Sequence, residues 1–176
     1  RVLLEYVSAN PTGPLHVGHG RGAAVGDSLA RLLRKAGHHV HTEYYINDAG
    51  RQMRLLGLSV WLRVLELAGR KVEWPEDYYK GDYIIDIARE MLEANPALPD
   101  MPAAEGEDVC YDKAMNDILN GIKDDLNEFR VEHQRWFSEK TLVEGGAVAS
   151  AFKALDDAGH TYDQDNAYWF ATEHLG

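Results

Sequence analysis

The 176-residue chain has one cysteine, Cys110, so no disulfide can form within it and a disulfide-stapled miniprotein is excluded. It has no long apolar run. The longest mostly apolar, uncharged stretches, Leu55 to Leu62 and Gly145 to Phe152, hold eight residues each, against the roughly 20 that a membrane-spanning helix needs. No N-terminal signal peptide is visible, because Glu5 interrupts the first apolar run. Low-complexity tracts and internal repeats are lacking too. With 45% hydrophobic and 10% aromatic residues, the composition can build a core and is not that of a disordered tail. The length suits one medium domain, or one domain with an insertion. The lone thiol and the lack of an export signal lead us to expect a cytoplasmic, reducing location and no membrane partner.

Positive charge is scarce overall, with 18 Lys+Arg against 29 Asp+Glu and a net charge of -11, but the deficit is uneven. Residues 1–71 carry ten basic and five acidic side chains, a net of +5, whereas residues 72–176 carry eight and 24, a net of -16. Five of the eight histidines fall within the first 41 residues. An anion such as a nucleotide would therefore be met by the N-terminal part. The acidic remainder reads most simply as a solubilising surface.

Hydrophobic patterning predicts an opening of strand, loop, helix, strand, helix. Val2 to Val7 is a short apolar run bounded by turn formers, and so a buried strand. A helix follows from about Val17 to Ala36, with Val25, Leu29, Leu32, Leu33 and Ala36 on one face and Gly37 placed to end it. His39 to Ile46 reads as a second strand, and Ala49 to Ala68 as a second helix ending at Gly69. This is the start of a βαβ unit in a parallel sheet. Then Ile84 to Leu92 marks a short amphipathic helix, Asn95 to Pro102 a proline-rich loop, and Met115 to Phe129 a longer helix. Val131 to Phe137 reads as a strand, Val148 to Leu155 as a helix ending near Gly159, and Thr161–Gln164 with Ala167–Ala171 as a hairpin through Asp165 and Asn166. The expected fold class is α/β: the first half of a Rossmann-like parallel-sheet nucleotide-binding domain carrying a mostly helical insertion. The expected division is 1–71 for the first βαβα part, 72–130 for the helical insertion, and 131–176 for a return to the first domain, short of its second half.

The stretch Ser8-Ala-Asn-Pro-Thr-Gly-Pro-Leu-His-Val-Gly-His-Gly-Arg21 joins the first strand to the first helix. Ligands of open α/β sheets bind beyond the carboxyl ends of the strands, where a helix N-terminus offers free N–H groups and the positive end of its dipole. His16 and His19, three apart, share one side of a helical turn. Gly18 between them lets a flat ring approach the backbone. Two imidazole donors fixed where charge develops can stabilise a transition state without transferring a proton. A plain loop with capping histidines and turn glycines is the bland alternative. A dinucleotide fingerprint is another: Gly18, Gly20 and Ala23 fit G-x-G-x-x-A, with Glu43 twenty residues on, but about ten residues separate Val7 from Gly18 where that motif needs the glycine at once. The crowded His38, His39 and His41 lack a carboxylate or cysteine to complete a zinc set, so no resident metal is expected.

Glu5 through Arg21 resembles the signature region of class I aminoacyl-tRNA synthetases and, within that class, the arginyl-tRNA synthetase family. His16-Val-Gly-His19 is similar to the family's His-Ile-Gly-His element, with Val17 in the Ile position. Further similar stretches follow in order: Gly20 to Asp27, Tyr45 to Gln52, Tyr79 to Ile84, Trp136 to Glu139 and Ala167 to Phe170. The resemblance implies an ATP-dependent ligase that activates arginine to arginyl-adenylate and transfers it to tRNA(Arg), with Mg²⁺ accompanying ATP. It implies that His16, Val17, Gly18 and His19 bind ATP, that His16 and His19 act on the α-phosphate transition state, and that Glu5 and Asn10 bind arginine. A carboxylate suits a guanidinium, and an amide suits the substrate backbone. Ser8, Asp48 and Gln52 are further candidates for the arginine pocket. The family's Lys-Met-Ser-Lys-type loop and its tRNA-binding domains have no counterpart in the chain. The resemblance therefore implies a piece of the catalytic domain, inactive in isolation, that relies on other domains for most tRNA contacts. Another nucleotidyltransferase with a Thr/His-x-Gly-His turn, or a non-catalytic relic domain that binds partners through its helices, stays open beside this reading.

Overall fold

A computed structural model describes residues 1–175, and Gly176 lies outside the described residues. The chain forms two compact units, residues 1–137 and 138–176. The first opens with β1 (Val2–Glu5), α1 (Val17–Lys35), β2 (Val40–Ile46) and α2 (Arg51–Leu67). β1 and β2 are parallel, registered from Val2 opposite Val40 to Glu5 opposite Glu43. β3 (Arg135–Ser138) completes a three-stranded sheet in the order β1-β2-β3. This is the expected α/β opening, a parallel sheet flanked by helices.

Between α2 and β3 stand α3 (Asp82–Ala94), a short 3₁₀ turn (Leu98–Asp100) and α4 (Ala103–Glu128). All of these pack on or near α2. Leu56, Val60 and Val64 of α2, Ile84 and Ala88 of α3, and Cys110, Ala114 and Ile122 of α4 are almost fully buried in one cluster. Glycines set the closeness of α2 to α4. A Cβ on Gly106 would lie 2.4 Å from the Trp61 ring, and one on Gly57 would lie 2.8 Å from the Glu107 carbonyl oxygen. The start of α4, residues 103–110, shows a weak apolar pattern because its buried residues, Gly106 and Cys110, are small. Burial pushes the Cys110 thiol up to about 12, which leaves it inert.

One face of α1 departs from the pattern. The apolar row Val25, Leu29 and Leu32 is exposed, and the buried residues are Ala23, Gly26 and Ala30. The reason is a close approach to the sheet: a Cβ on Gly26 would lie 2.2 Å from the Tyr6 ring. Small residues, and not the large apolar ones, seat this helix.

The second unit contains α5 (Lys140–Glu144), α6 (Ala147–Asp157) and an antiparallel hairpin of β4 (Thr161–Gln164) and β5 (Ala167–Phe170). Asp165 and Asn166, at φ 53° and 57°, form its tight turn.

Candidate active site

β1 ends at Glu5 because the chain then turns sharply. Val7 and Ser8 take φ of 68° and 37°, a left-handed conformation that a β-branched residue rarely adopts. Such strain persists only where the surroundings over-determine it. At this turn the Tyr45 N–H donates to Ser8 Oγ at 3.0 Å, the Tyr44 hydroxyl to the Ala9 carbonyl at 2.9 Å, and His133 Nε2 to the Tyr6 carbonyl at 3.2 Å. Because a carbonyl only accepts, His133 carries its proton on Nε2. Its Nδ1 is buried without a hydrogen-bond partner. Burial lowers its pKa, with the Tyr6 hydrogen bond and the charge of Asp27 opposing. The imidazole packs within an aromatic group of Tyr6, Tyr44 and Trp136, at 4.3, 5.5 and 5.6 Å between ring centroids.

The chain then reaches α1, whose N-cap is His16. His16 Nδ1 accepts from the Gly18 N–H at 3.1 Å, and His19 Nδ1 accepts from the His16 N–H at 3.2 Å. Two imidazoles thus form the reciprocal capping box usually made by a hydroxyl and a carboxylate. The rings stack at 3.8 Å and 20°. With both Nδ1 atoms accepting, each neutral ring carries its proton on Nε2 as a donor outside the cap. The pKa of His19 is lowered, chiefly by burial and then by His16, which favours that neutral form. No acid stands in the first turn of α1, so nothing there offsets the positive end of the dipole. A Cβ on Gly18 would come within 2.9 Å of the His16 ring, so its lack of a side chain is what seats that imidazole.

Glu5 and Gly18 line one cleft of about 430 Å³ between β1 and α1, together with Arg21. Glu5 is exposed at this cleft and does not face the core. Asn10 donates its side-chain amide to Gln52 Oε1 at 2.8 Å, joining the loop after β1 to the start of α2. Gln52 borders a second cleft, with Arg51, Tyr79 and Lys80. Val17 is exposed beside the histidines. The Ser8 hydroxyl is engaged by Tyr45, and the Asp48 carbonyl accepts from Tyr111 at 3.0 Å. The structure thus brings His16 and His19 together, Glu5 and Gly18 together, and Asn10 and Gln52 together.

The dinucleotide alternative does not survive. Gly18 and Gly20 lie inside α1 and not in a tight turn, and Glu43 is ion-paired with Arg135 at 3.5 Å. Missed from sequence were Arg21 as a cleft residue and the anchors His133, Tyr44, Tyr83 and Tyr111. Tyr83 at least lay within a stretch that carries the family resemblance. Among the described residues, no three His, Cys, Asp or Glu side chains stand together as a metal cage, and no helix is long and apolar enough to cross a membrane.

The strand, the imidazole-capped helix and the parallel second strand, with a cleft between β1 and α1, fall within the stretch that is similar to class I aminoacyl-tRNA synthetase catalytic domains. Residues 1–73 match the family described as tRNA synthetases class I (R), catalytic domain. Over all 176 residues the chain is 88% identical to the arginine–tRNA ligase of Desulfovibrio desulfuricans and 67% identical to that of Nitratidesulfovibrio vulgaris strain DP4. It spans 32% of the length of each. A provisionally assigned arginyl-tRNA synthetase structure from Campylobacter jejuni superposes with a TM-score of 0.85 at 41% identity, covering 99% of this chain and 38% of that one. The Thermus thermophilus arginyl-tRNA synthetase gives 0.61 at 26% identity, covering 94% and 28%. Over its full length the chain is similar to arginyl-tRNA synthetases, and residues 1–73 carry the match to the catalytic-domain family.

Proposed function

We propose that this segment supplies the phosphate-facing half of an arginine–tRNA ligase site. The observation that carries the reading is the pair of imidazoles whose Nδ1 atoms are used in the helix cap. That leaves two pre-oriented Nε2–H donors at the positive end of α1. In the first step the arginine carboxylate attacks the α-phosphorus of ATP. An O–P bond forms, the bridging bond to the β-phosphate breaks, and pyrophosphate leaves. His16 and His19 donate to the phosphate oxygens as charge builds, with no proton transferred. The adenine lies against Val17 and Gly18. Glu5 pairs with the guanidinium across the cleft, and Asn10 and Gln52 hold the backbone end of the amino acid, with Ser8 and Asp48 at the border of that pocket. In the second step the arginyl group passes to the terminal ribose of tRNA(Arg).

Mg²⁺ bound to ATP would neutralise phosphate charge. The residues described form no cage for it, and no step above is routed through it. Residues 1–71 form the nucleotide-binding opening in this reading, residues 72–130 its helical insertion, and residues from 131 onward the return toward the same domain. Most tRNA contacts lie in parts of the enzyme other than this segment, and the site of action is the cytoplasm, where a buried free thiol is stable.

The test uses cap-preserving variants in the complete enzyme. His16→Asn keeps an N-cap acceptor, and His19→Gln keeps the reach back to the cap backbone. Each replaces the imidazole Nε2–H by an amide N–H that is shorter or differently aimed. Each should lower arginine-dependent ATP–pyrophosphate exchange roughly 10²- to 10³-fold with helix content unchanged. Near-normal exchange in both variants would overturn the assignment.

A further inference from the structure

Two phenols on the helical stretch reach back to the two loops that carry the candidate site. Tyr83, in the first turn of α3, donates its hydroxyl to the Thr12 carbonyl. Tyr111, in α4, donates to the Asp48 carbonyl at 3.0 Å. Thr12 lies between Asn10 and His16, and Asp48 lies four residues before Gln52. The two loops meet at the hydrogen bond from Asn10 to Gln52. Each is therefore tied by one tyrosine, within a few residues of the side chain that it presents to the other.

The approaches are close on both sides. A Cβ on Gly13 would stand 3.2 Å from the Tyr83 ring, and one on Gly57 would stand 2.9 Å from Tyr111 Cβ. Both tyrosines are partly buried against the main core. Burial raises both phenol pKa values, that of Tyr83 to about 12, so each hydroxyl stays protonated and able to donate. A side chain needed only to fill space would not need to end on a backbone carbonyl. Phenylalanine would serve, and without the burial cost of a hydroxyl.

We propose that Tyr83 and Tyr111 are positioning residues for the amino-acid substrate: by holding the Thr12 and Asp48 carbonyls, the helical stretch sets the spacing of Asn10 and Gln52. The proposal rests on the arginine-binding reading of those two residues. It makes the helical stretch part of the site's frame and not an appendage. The histidines do not depend on it, because their cap is internal to α1.

The test is steady-state ATP–pyrophosphate exchange by the complete enzyme and its Tyr83→Phe and Tyr111→Phe variants, with KM for arginine and for ATP measured separately. Each variant loses one hydrogen bond and keeps the ring, so KM for arginine should rise roughly 3- to 10-fold while kcat and KM for ATP stay within about twofold. Gly13→Ala, whose added methyl would press on the Tyr83 ring at 3.2 Å, should reproduce the split. A purely structural role would lower the unfolding temperature of the variants and leave KM for arginine unchanged. Unchanged KM for arginine in all three, or an equal loss in every parameter, overturns the proposal. If the wild-type enzyme performs no arginine-dependent exchange, the function reading falls and the proposal with it. Wild-type exchange with unaffected variants removes the positioning role alone.

Discussion

The two compact units differ in how they are held together. In residues 1–137 the sheet and four helices share a continuous buried cluster from Ala23 to Val131, with Tyr44, Leu56, Ile84 and Ile122 at 1% exposure or less. In residues 138–176, α5 and α6 contain no buried residue, and of the hydrophobic side chains only Ala171 is buried among the described residues. Phe152, Tyr162, Tyr168, Trp169 and Phe170 are each 43–51% exposed. The first unit is built from long-range apolar burial. The second is built from local elements: two short helices, an exposed Lys153–Asp157 pair four residues apart, and a two-residue turn. The site sits entirely on the first. Strained loop geometry such as that at Val7 and Ser8 needs a surrounding that does not yield.

The widest contrast is expected from core truncation. Leu56→Ala in the first unit should cost about 2–5 kcal/mol, because a fully buried leucine leaves a cavity. Phe152→Ala in the second, at 51% exposure, should cost less than about 1 kcal/mol. Residue-resolved amide hydrogen exchange of each variant separates the two units. Equal losses would break the distinction drawn between them.

A second contrast is in acid. His133 is held neutral in the first unit, with its folded pKa below the unfolded value near 6.5. A histidine of that kind contributes full stability above the unfolded pKa, and that contribution is lost as pH falls through the folded one. Protonation would put a donor on Nδ1, which is buried without a partner. Exchange protection around Tyr6 to Ala9 should therefore fall, as pH drops below about 6.5, faster than protection of the β4–β5 hairpin. His133→Phe should flatten that fall while lowering protection at all pH values, because the bond to the Tyr6 carbonyl is gone. An unaltered pH slope in the variant would assign the acid sensitivity elsewhere.

What could be read in advance divides along physical lines. α1, β2 and α2 were legible to within two residues, since Gly37 and Gly69 take the positive φ that ends a helix. The hairpin was legible because Asp-Asn is turn chemistry. The early end of β1 was not legible: nothing in Val7 announces a left-handed backbone, which is imposed by Tyr44, Tyr45 and His133. The start of α4 was hidden because close packing on α2 needs small residues, and small residues carry little periodic signal. The exposed row on α1 misled for the same reason. In the site, the spacing of His16 and His19 was sufficient, as their contact is local. The anchors His133 and Tyr111 were not visible, since each bonds a carbonyl more than 60 residues away in sequence.

The smallest effect tests the local character of the second unit. Asp165 and Asn166 both stand in the left-handed region, and the turn type they form prefers glycine at its second position. Asn166→Gly relieves the residual strain there but also loosens the unfolded chain, so the two effects partly cancel. A net gain of about half a kcal/mol or less is expected, read as increased exchange protection at Thr161 to Gln164 and Ala167 to Phe170. Because the hairpin is held by its turn, protection should rise in these strands and nowhere in residues 1–137. A gain that spread into the first unit would show that the hairpin's stability is not its own.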